Sequence, residues 1–219
     1  MCGILGQINK SDFVNADLFC QMLQTIHHRG PDGNGVYYNE NNCLAFGHTR
    51  LAFLDLSEAG KQPFISNNEQ IIVTFNGEIY NYLELKKELL NSYNFITNTD
   101  TEVIIAAYQI WGMEFVNKLK GMFAIAIYDK KINKIFLVRD RFGIKPLYYF
   151  YNENHLIFAS ELKAILAAGL VKKEIDYSSF SDYFVYRYIP SPKTIWKNIY
   201  KIPPANYLTF DMDTFSFSL

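Results

Sequence analysis

Between residues 122 and 160 the chain carries a succession of apolar runs of strand length: Met122–Tyr128, Lys134–Val138, Leu147–Tyr151 and Leu156–Ser160. Tight polar turns at Asp129–Asn133 and Asn152–Asn154 separate two of the pairs, so these runs read as successive antiparallel strands. Shorter β-like runs precede them at residues 2–9, Val36–Tyr38, Leu44–His48 and Ile71–Phe75. Apolar residues at helical spacing predict helices over about Asn15–His28, Tyr82–Leu90, Thr101–Trp111 and Glu161–Ala168, with Gly112 as the stop of the third. Strands in meander-like runs, with helices gathered apart from them, imply an α+β fold of layered antiparallel sheets and exclude alternating βαβ units.

Beyond residue 176 the texture changes. Tyr177–Tyr186 reads as an aromatic-rich helix, and Ile189-Pro190-Ser191-Pro192 and Ile202-Pro203-Pro204 read as an extended crossing segment. The expected division is therefore a domain over 1–176 and a connector over 177–219. No repeat or low-complexity tract is present, and Asp211–Leu219 lacks the composition of a tail.

With 49% hydrophobic and 16% aromatic residues among 219, the chain has the material for a sizeable core. A net charge of -1 with no basic cluster argues against nucleic acid as a partner. The apolar runs are too short to span a membrane, and the N-terminus lacks a basic region followed by a long apolar core, so neither membrane insertion nor secretion is expected. Cys2, Cys20 and Cys43 show no Cys-x-x-Cys spacing and no metal-ligand spacing with the histidines. No metal or disulfide is expected, and a cytoplasmic location fits.

Cys2 is the residue with chemical promise. Removal of Met1 leaves a thiol and an α-amine on one residue, and an α-amine with a pKa of roughly 7.7–8.0 can take up the thiol's proton near neutral pH. Read on its own, a cysteine at position 2 is more simply a small buried residue in a first strand. Asn76-Gly77 on its own reads as a type I′ hairpin turn. Arg50 reads as a charge ending a strand, and Thr99 with Glu102 as a capping box around Asp100.

The stretch Met1-Cys2-Gly3-Ile4-Leu5-Gly6 resembles the start of the glutamine amidotransferases that use an N-terminal cysteine, members of the N-terminal-nucleophile hydrolase group. Further blocks similar to that family follow in order: Arg29-Gly30-Pro31-Asp32-Gly33, His48-Thr49-Arg50-Leu51, Phe75-Asn76-Gly77-Glu78-Ile79-Tyr80-Asn81-Tyr82, Thr99-Asp100-Thr101-Glu102, Gly121-Met122-Phe123-Ala124, Arg139 to Tyr149 and Phe158 to Lys163. Asn-Gly-Glu-Ile-Tyr-Asn and Lys-Pro-Leu-Tyr-Tyr look most like the domain found in glutamine-hydrolysing asparagine synthetases. The resemblance implies a four-layer αββα sandwich of antiparallel sheets.

It also implies roles. Cys2 is the nucleophile toward L-glutamine. Asn76 and Gly77 supply the donors to the oxyanion, an arrangement suited to acyl transfer. Arg50 takes the substrate α-carboxylate. Asp100, with Glu78 beside it, takes the α-ammonium, and the backbone of Leu51, Ala52, Phe53 and Leu54 lines the pocket. Cys20, Cys43, His27, His28 and His48 have no expected role.

A complete synthetase of this kind adds a Ser-Gly-Gly-x-Asp-Ser loop for pyrophosphate, and this sequence has no adjacent glycines and no Gly-x-x-x-x-Gly-Lys loop. No cofactor is therefore expected in the chain. ATP and magnesium would belong to a synthetase domain, in the same full-length chain or a separate subunit. The ammonia acceptor is open between aspartate and an acidic sugar of surface-polysaccharide synthesis. A catalytically idle regulatory or docking module, and an amidase for another small amide, stand as alternatives.

Overall fold

The structure, a computed structural model, describes residues 1–53 and 58–219. Two six-stranded antiparallel sheets form its centre. The first contains β1 (Gly3–Asn9), β2 (Gly33–Tyr38), β3 (Leu44–Arg50), β8 (Tyr148–Tyr151), β9 (His155–Ala159) and β10 (Ile199–Lys201), in the order β10-β8-β9-β1-β3-β2. The second contains β4 (Phe64–Ile65), β5 (Ile71–Ile79), β6 (Gly121–Asp129), β7 (Lys134–Arg139), β11 (Tyr207–Asp211) and β12 (Ser216–Ser218), in the order β12-β11-β7-β6-β5-β4.

The two-residue period of a strand explains the layering. Ile4 and Ile8 of β1 and Leu44 and Phe46 of β3 join Ile72, Ala124, Ala126 and Leu137 in a core between the sheets. The alternate residues face outward. Leu5, Ala45 and Ile157 pack with Phe19, Met22 and Leu23 of α1 (Ala16–Gln24) and Ala164 and Ile165 of α5 (Leu162–Ala167). On the other outer face, Val73, Phe75, Phe123 and Ile125 pack under Leu85 and Leu89 of α2 (Tyr82–Leu89), Val103–Ala107 of α3 (Asp100–Trp111) and Phe115 of α4 (Phe115–Lys118). The layers are helix, sheet, sheet, helix, as expected from the family resemblance.

Three local expectations change. The Asn76-Gly77 pair is no hairpin turn but lies inside β5, which pairs with β6 along its whole length from Ile71 opposite Asp129 to Ile79 opposite Gly121. Long-range pairing overrides the local turn signal, and neither residue has a positive φ. The first helix ends at Gln24, with a separate short helical turn at His27–Arg29. The stretch read as a connector does contain the expected helix, α6 (Tyr177–Tyr186), but β10 pairs with β8, β11 with β7 and β12 with β11. Residues 199–218 thus extend both sheets, and a division at residue 176 does not follow them. The prolines around 190 and 203 masked these strands, which are only three to five residues long.

Candidate active site

Antiparallel pairing of β1 with β3 sets Gly3 opposite Thr49, which brings Cys2 beside Arg50 and Leu51 at the end of β3. The Cys2 Sγ lies 3.4 Å from the Leu51 N–H and 3.7 Å from the Leu51 carbonyl. Burial pushes the thiol pKa up. The contact with the Leu51 backbone and the N-terminal charge oppose this rise, while the Glu78 and Asp100 carboxylates add to it. A thiol in this setting stays protonated at neutral pH and needs a base before it attacks.

Arg29, on the turn after α1, holds the backbone of Cys2. Its Nε donates to the Cys2 carbonyl at 2.9 Å, and its Nη1 pairs with Glu161 at 3.0 Å. Glu161 in turn binds His28 and Lys163. The Arg29 Nη2 is buried and has no partner among the described residues. Nothing in the Arg-Gly-Pro-Asp-Gly block as a sequence signals this task for its arginine.

The cavity beside Cys2 is lined by Arg50, Leu51, Phe53, Gly77, Glu78 and Asp100 from the expected set, together with His48, Gln62, Phe75, Thr99 and Thr101, which were not expected. Asn76 lies on β5 between Phe75 and Gly77, both of which line the cavity. It is 1% exposed, and neither its Nδ2 nor its Oδ1 has a partner among the described residues. Buried side-chain amides are ordinarily satisfied, so a fully unpartnered one on the strand that borders the cavity has hydrogen-bonding capacity to spare. Ala52 lies apart from the lining, its N–H donated to Asp32 Oδ2 at 2.9 Å. Leu54 falls outside the described residues.

The sheet architecture explains why Gly77 faces the cavity. β4 is two residues long and pairs with Ile72 and Val73, so beyond Val73 the outer edge of β5 has no neighbouring strand among the described residues. Phe75 N–H is taken by Gln62 Oε1 at 2.7 Å, and Ile79 N–H by Asp100 Oδ2 at 3.1 Å. Both point away from β6. By the alternation of an antiparallel strand, the N–H of Gly77, midway between them, points the same way, toward the cavity. The neighbouring strand is what requires a glycine here. A Cβ at this position would lie 2.2 Å from the Met122 carbonyl and 2.7 Å from the Phe75 ring, so close packing against β6 enforces it, without any left-handed backbone.

Asp100 is the first residue of α3, whose N-cap Thr99 accepts from the Glu102 N–H. The return half of the expected capping box is absent, because the Glu102 carboxylate accepts instead from the N–H groups of Ile96 and Thr97. Burial raises the Asp100 pKa to about 7; the Ile79 hydrogen bond opposes the rise and the charge of Glu78 adds to it. Glu78 is also raised by burial, against the nearby Lys145 ammonium. A buried Asp100 and a half-buried Glu78, neither in a salt bridge among the described residues, suit an incoming cation. The cavity thus brings together a thiol, an edge N–H, a guanidinium and two carboxylates, with the unpartnered Asn76 amide on the strand between two of its lining residues.

A model of the glutamine amidotransferase domain family matches residues 1–218. Relatives include a candidate glutamine-hydrolysing asparagine synthetase 2 of Methanocaldococcus jannaschii, 42% identical across 97% of this chain and 44% of its own. Another is the glutamine-hydrolysing asparagine synthetase 1 of Bacillus subtilis, 39% identical across 97% of this chain and 34% of its own. The chain therefore spans less than half the length of these relatives. A solved glutamine phosphoribosylpyrophosphate amidotransferase from B. subtilis superposes with a TM-score of 0.71 over 99% of this chain and 49% of its own, at 20% identity, and so shares the fold. The chain belongs to the glutamine amidotransferase domain family, enzymes of the type carried by glutamine-hydrolysing asparagine synthetases.

Proposed function

We propose that this domain hydrolyses L-glutamine through a thioester on Cys2 and supplies the ammonia to an ATP-dependent synthetase domain. The observation that carries the reading is the convergence of the Cys2 thiol, the edge N–H of Gly77 with the unpartnered Asn76 before it on β5, and side chains of opposite charge, Arg50 against Asp100 and Glu78, on one cavity.

With Met1 removed, the α-amine of Cys2 takes the thiol proton and the sulfur attacks the side-chain amide carbon. The oxyanion is received by Asn76 Nδ2 and Gly77 N–H. The proton passes to the leaving nitrogen, ammonia departs, and water cleaves the thioester to glutamate. Arg50 binds the substrate α-carboxylate, and Asp100 with Glu78 binds the α-ammonium. ATP and magnesium belong to the synthetase chemistry, for which this sequence holds no phosphate loop.

Aspartate is the acceptor the relatives' names favour. Phe180, Tyr183, Phe184, Tyr186 and Tyr188 leave an exposed aromatic surface on and after α6 that suits a protein neighbour such as the synthetase domain. All three cysteines are unpaired, in keeping with a cytoplasmic location.

Substrate discrimination tests the assignment of the charged groups. Glutarate monoamide, which lacks the α-ammonium and keeps one carboxylate, should be a far poorer substrate than glutamine. Arg50→Ala should raise KM for glutamine on the order of 10- to 100-fold, the loss expected for a charge-assisted hydrogen bond. Equal turnover of the two amides would remove Asp100 and Glu78 from the α-ammonium, and an unchanged KM in Arg50→Ala would remove Arg50 from the α-carboxylate.

A further inference from the structure

Where β4 stops, the backbone of Phe75 would present an N–H and a carbonyl to an edge with no strand beside it among the described residues. Two side chains from different parts of the chain fill that gap. Gln62, 7% exposed, accepts from Phe75 N–H at 2.7 Å and donates through Nε2 to Thr101 Oγ1 at 3.2 Å. His48, fully buried on β3 of the opposite sheet, has its Nε2 3.2 Å from the Phe75 carbonyl. A carbonyl only accepts, so Nε2 carries the proton and donates. Burial, with the charge of Arg50 as a lesser contributor, pushes the His48 pKa down to about 3, so the ring is neutral throughout the physiological range.

The Phe75 carbonyl belongs to the peptide that leads into Asn76, and Gly77 follows. Fixing both polar groups of Phe75 fixes the tilt of the strand from which the two proposed oxyanion donors project. Gln62 also ties this point to Thr101, the neighbour of Asp100 on α3, so the two ends of the cavity share one side chain.

We infer that Gln62 and His48 are positioning residues: acting as substitutes for a missing edge strand, they clamp the Phe75 backbone and thereby aim Asn76 and Gly77 at the developing oxyanion. The inference rests on the glutaminase reading above. It assigns neither residue a contact with substrate. A clamp of this kind matters more in the transition state than in the ground state, because donors misplaced by a fraction of an ångström still allow glutamine to bind through its α-groups.

The test uses Gln62→Met, which keeps length and removes both hydrogen bonds, His48→Leu, which removes the donor, and His48→Gln, which restores a donor at a similar reach. In Gln62→Met and His48→Leu, kcat should fall about 10- to 100-fold with KM within about 3-fold, while the rate at which iodoacetamide alkylates Cys2 stays within about 2-fold. His48→Gln should recover most of the kcat. The double variant should lose less than the product of the single losses, since both clamp one peptide unit. Unchanged kcat in both single variants, or a loss that His48→Gln shares in full, would overturn the inference.

Amide hydrogen exchange over residues 71–79, measured on the same proteins, keeps the two readings apart. If the wild-type protein released no ammonia from glutamine, the functional reading would fail. The clamp would still stand on faster exchange at Phe75 to Gly77 in Gln62→Met and His48→Leu, and fall on unchanged exchange.

Discussion

Asp100 is stabilised poorly by its own fold, and that is informative. Its pKa of about 7, against 3.8 for an ordinary aspartate, means the folded chain holds a proton there that the unfolded chain has released. Between those two values the folded state binds more protons than the unfolded state, so stability falls as pH rises through the window from about 4 to 7. The full shift corresponds to about 4 kcal/mol at pH 8. Asp100→Asn keeps an oxygen for the Ile79 N–H and removes the charge. It should raise the melting temperature at pH 8 by several degrees, an advantage that shrinks toward pH 5, while glutamine binding is lost. A melting temperature that drops at both pH values would place a needed ion pair at Asp100. In the active protein kcat/KM for glutamine should also climb between about pH 6 and 8 as Asp100 ionises in the free protein. At Gly77 the expected outcome is harsher. Gly77→Ala drives a Cβ into the Met122 carbonyl, so β5 must shift from β6. Loss of glutaminase activity with a melting temperature lower by several degrees is predicted, and an alanine variant of full activity would contradict the packing argument.

Among the elements, those with strong internal periodicity were legible in the sequence. Strands β6, β7, β8 and β9 and helices α2, α3 and α5 lie within a residue or two of expectation, because each carries its own apolar face and its own stop, such as Gly112 with φ 56 after α3. Asn76-Gly77 misled at the local level, since a turn dipeptide says nothing of a partner strand some fifty residues later. Gln62 and His48 gave no signal at all: their task is set by where β4 ends, a property of the sheet and not of either residue's neighbours in sequence. Much of the cavity lining came instead from the order of short blocks characteristic of the family. The N-cap of α3 offers a check on how firmly that helix holds Asp100. Thr99→Ala removes the hydrogen bond to the Glu102 N–H and should cost about 1 kcal/mol, or roughly 2–4 °C in melting temperature, with a measurable rise in KM for glutamine. A change in stability with KM untouched would show that Asp100 is placed by the Ile79 contact alone.

At the scale of the whole molecule, the sandwich carries a cavity at one edge where the end of β3, the unpaired edge of β5 and the start of α3 meet Cys2. Among the described residues no helix is long and apolar enough to cross a membrane. Nucleotide chemistry has no loop to work with in this sequence, so calorimetry with Mg-ATP should give no binding in the micromolar range; binding there would reveal a nucleotide site outside the account. The proposed reaction turns on a covalent role for Cys2. Burial holds that thiol protonated, and one retained residue ahead of it moves the α-amine by about 3.8 Å along the chain, beyond reach of the sulfur. The direct measurement is intact-mass spectrometry of acid-quenched single turnovers with L-glutamine, run on protein lacking Met1, on a variant that retains a blocking residue before Cys2, and on Cys2→Ala. An adduct of glutamine less ammonia, mapped to Cys2, is expected in the first protein alone, with ammonia released only there. Ammonia release at an undiminished rate from Cys2→Ala, or an adduct on any other residue, would contradict that role.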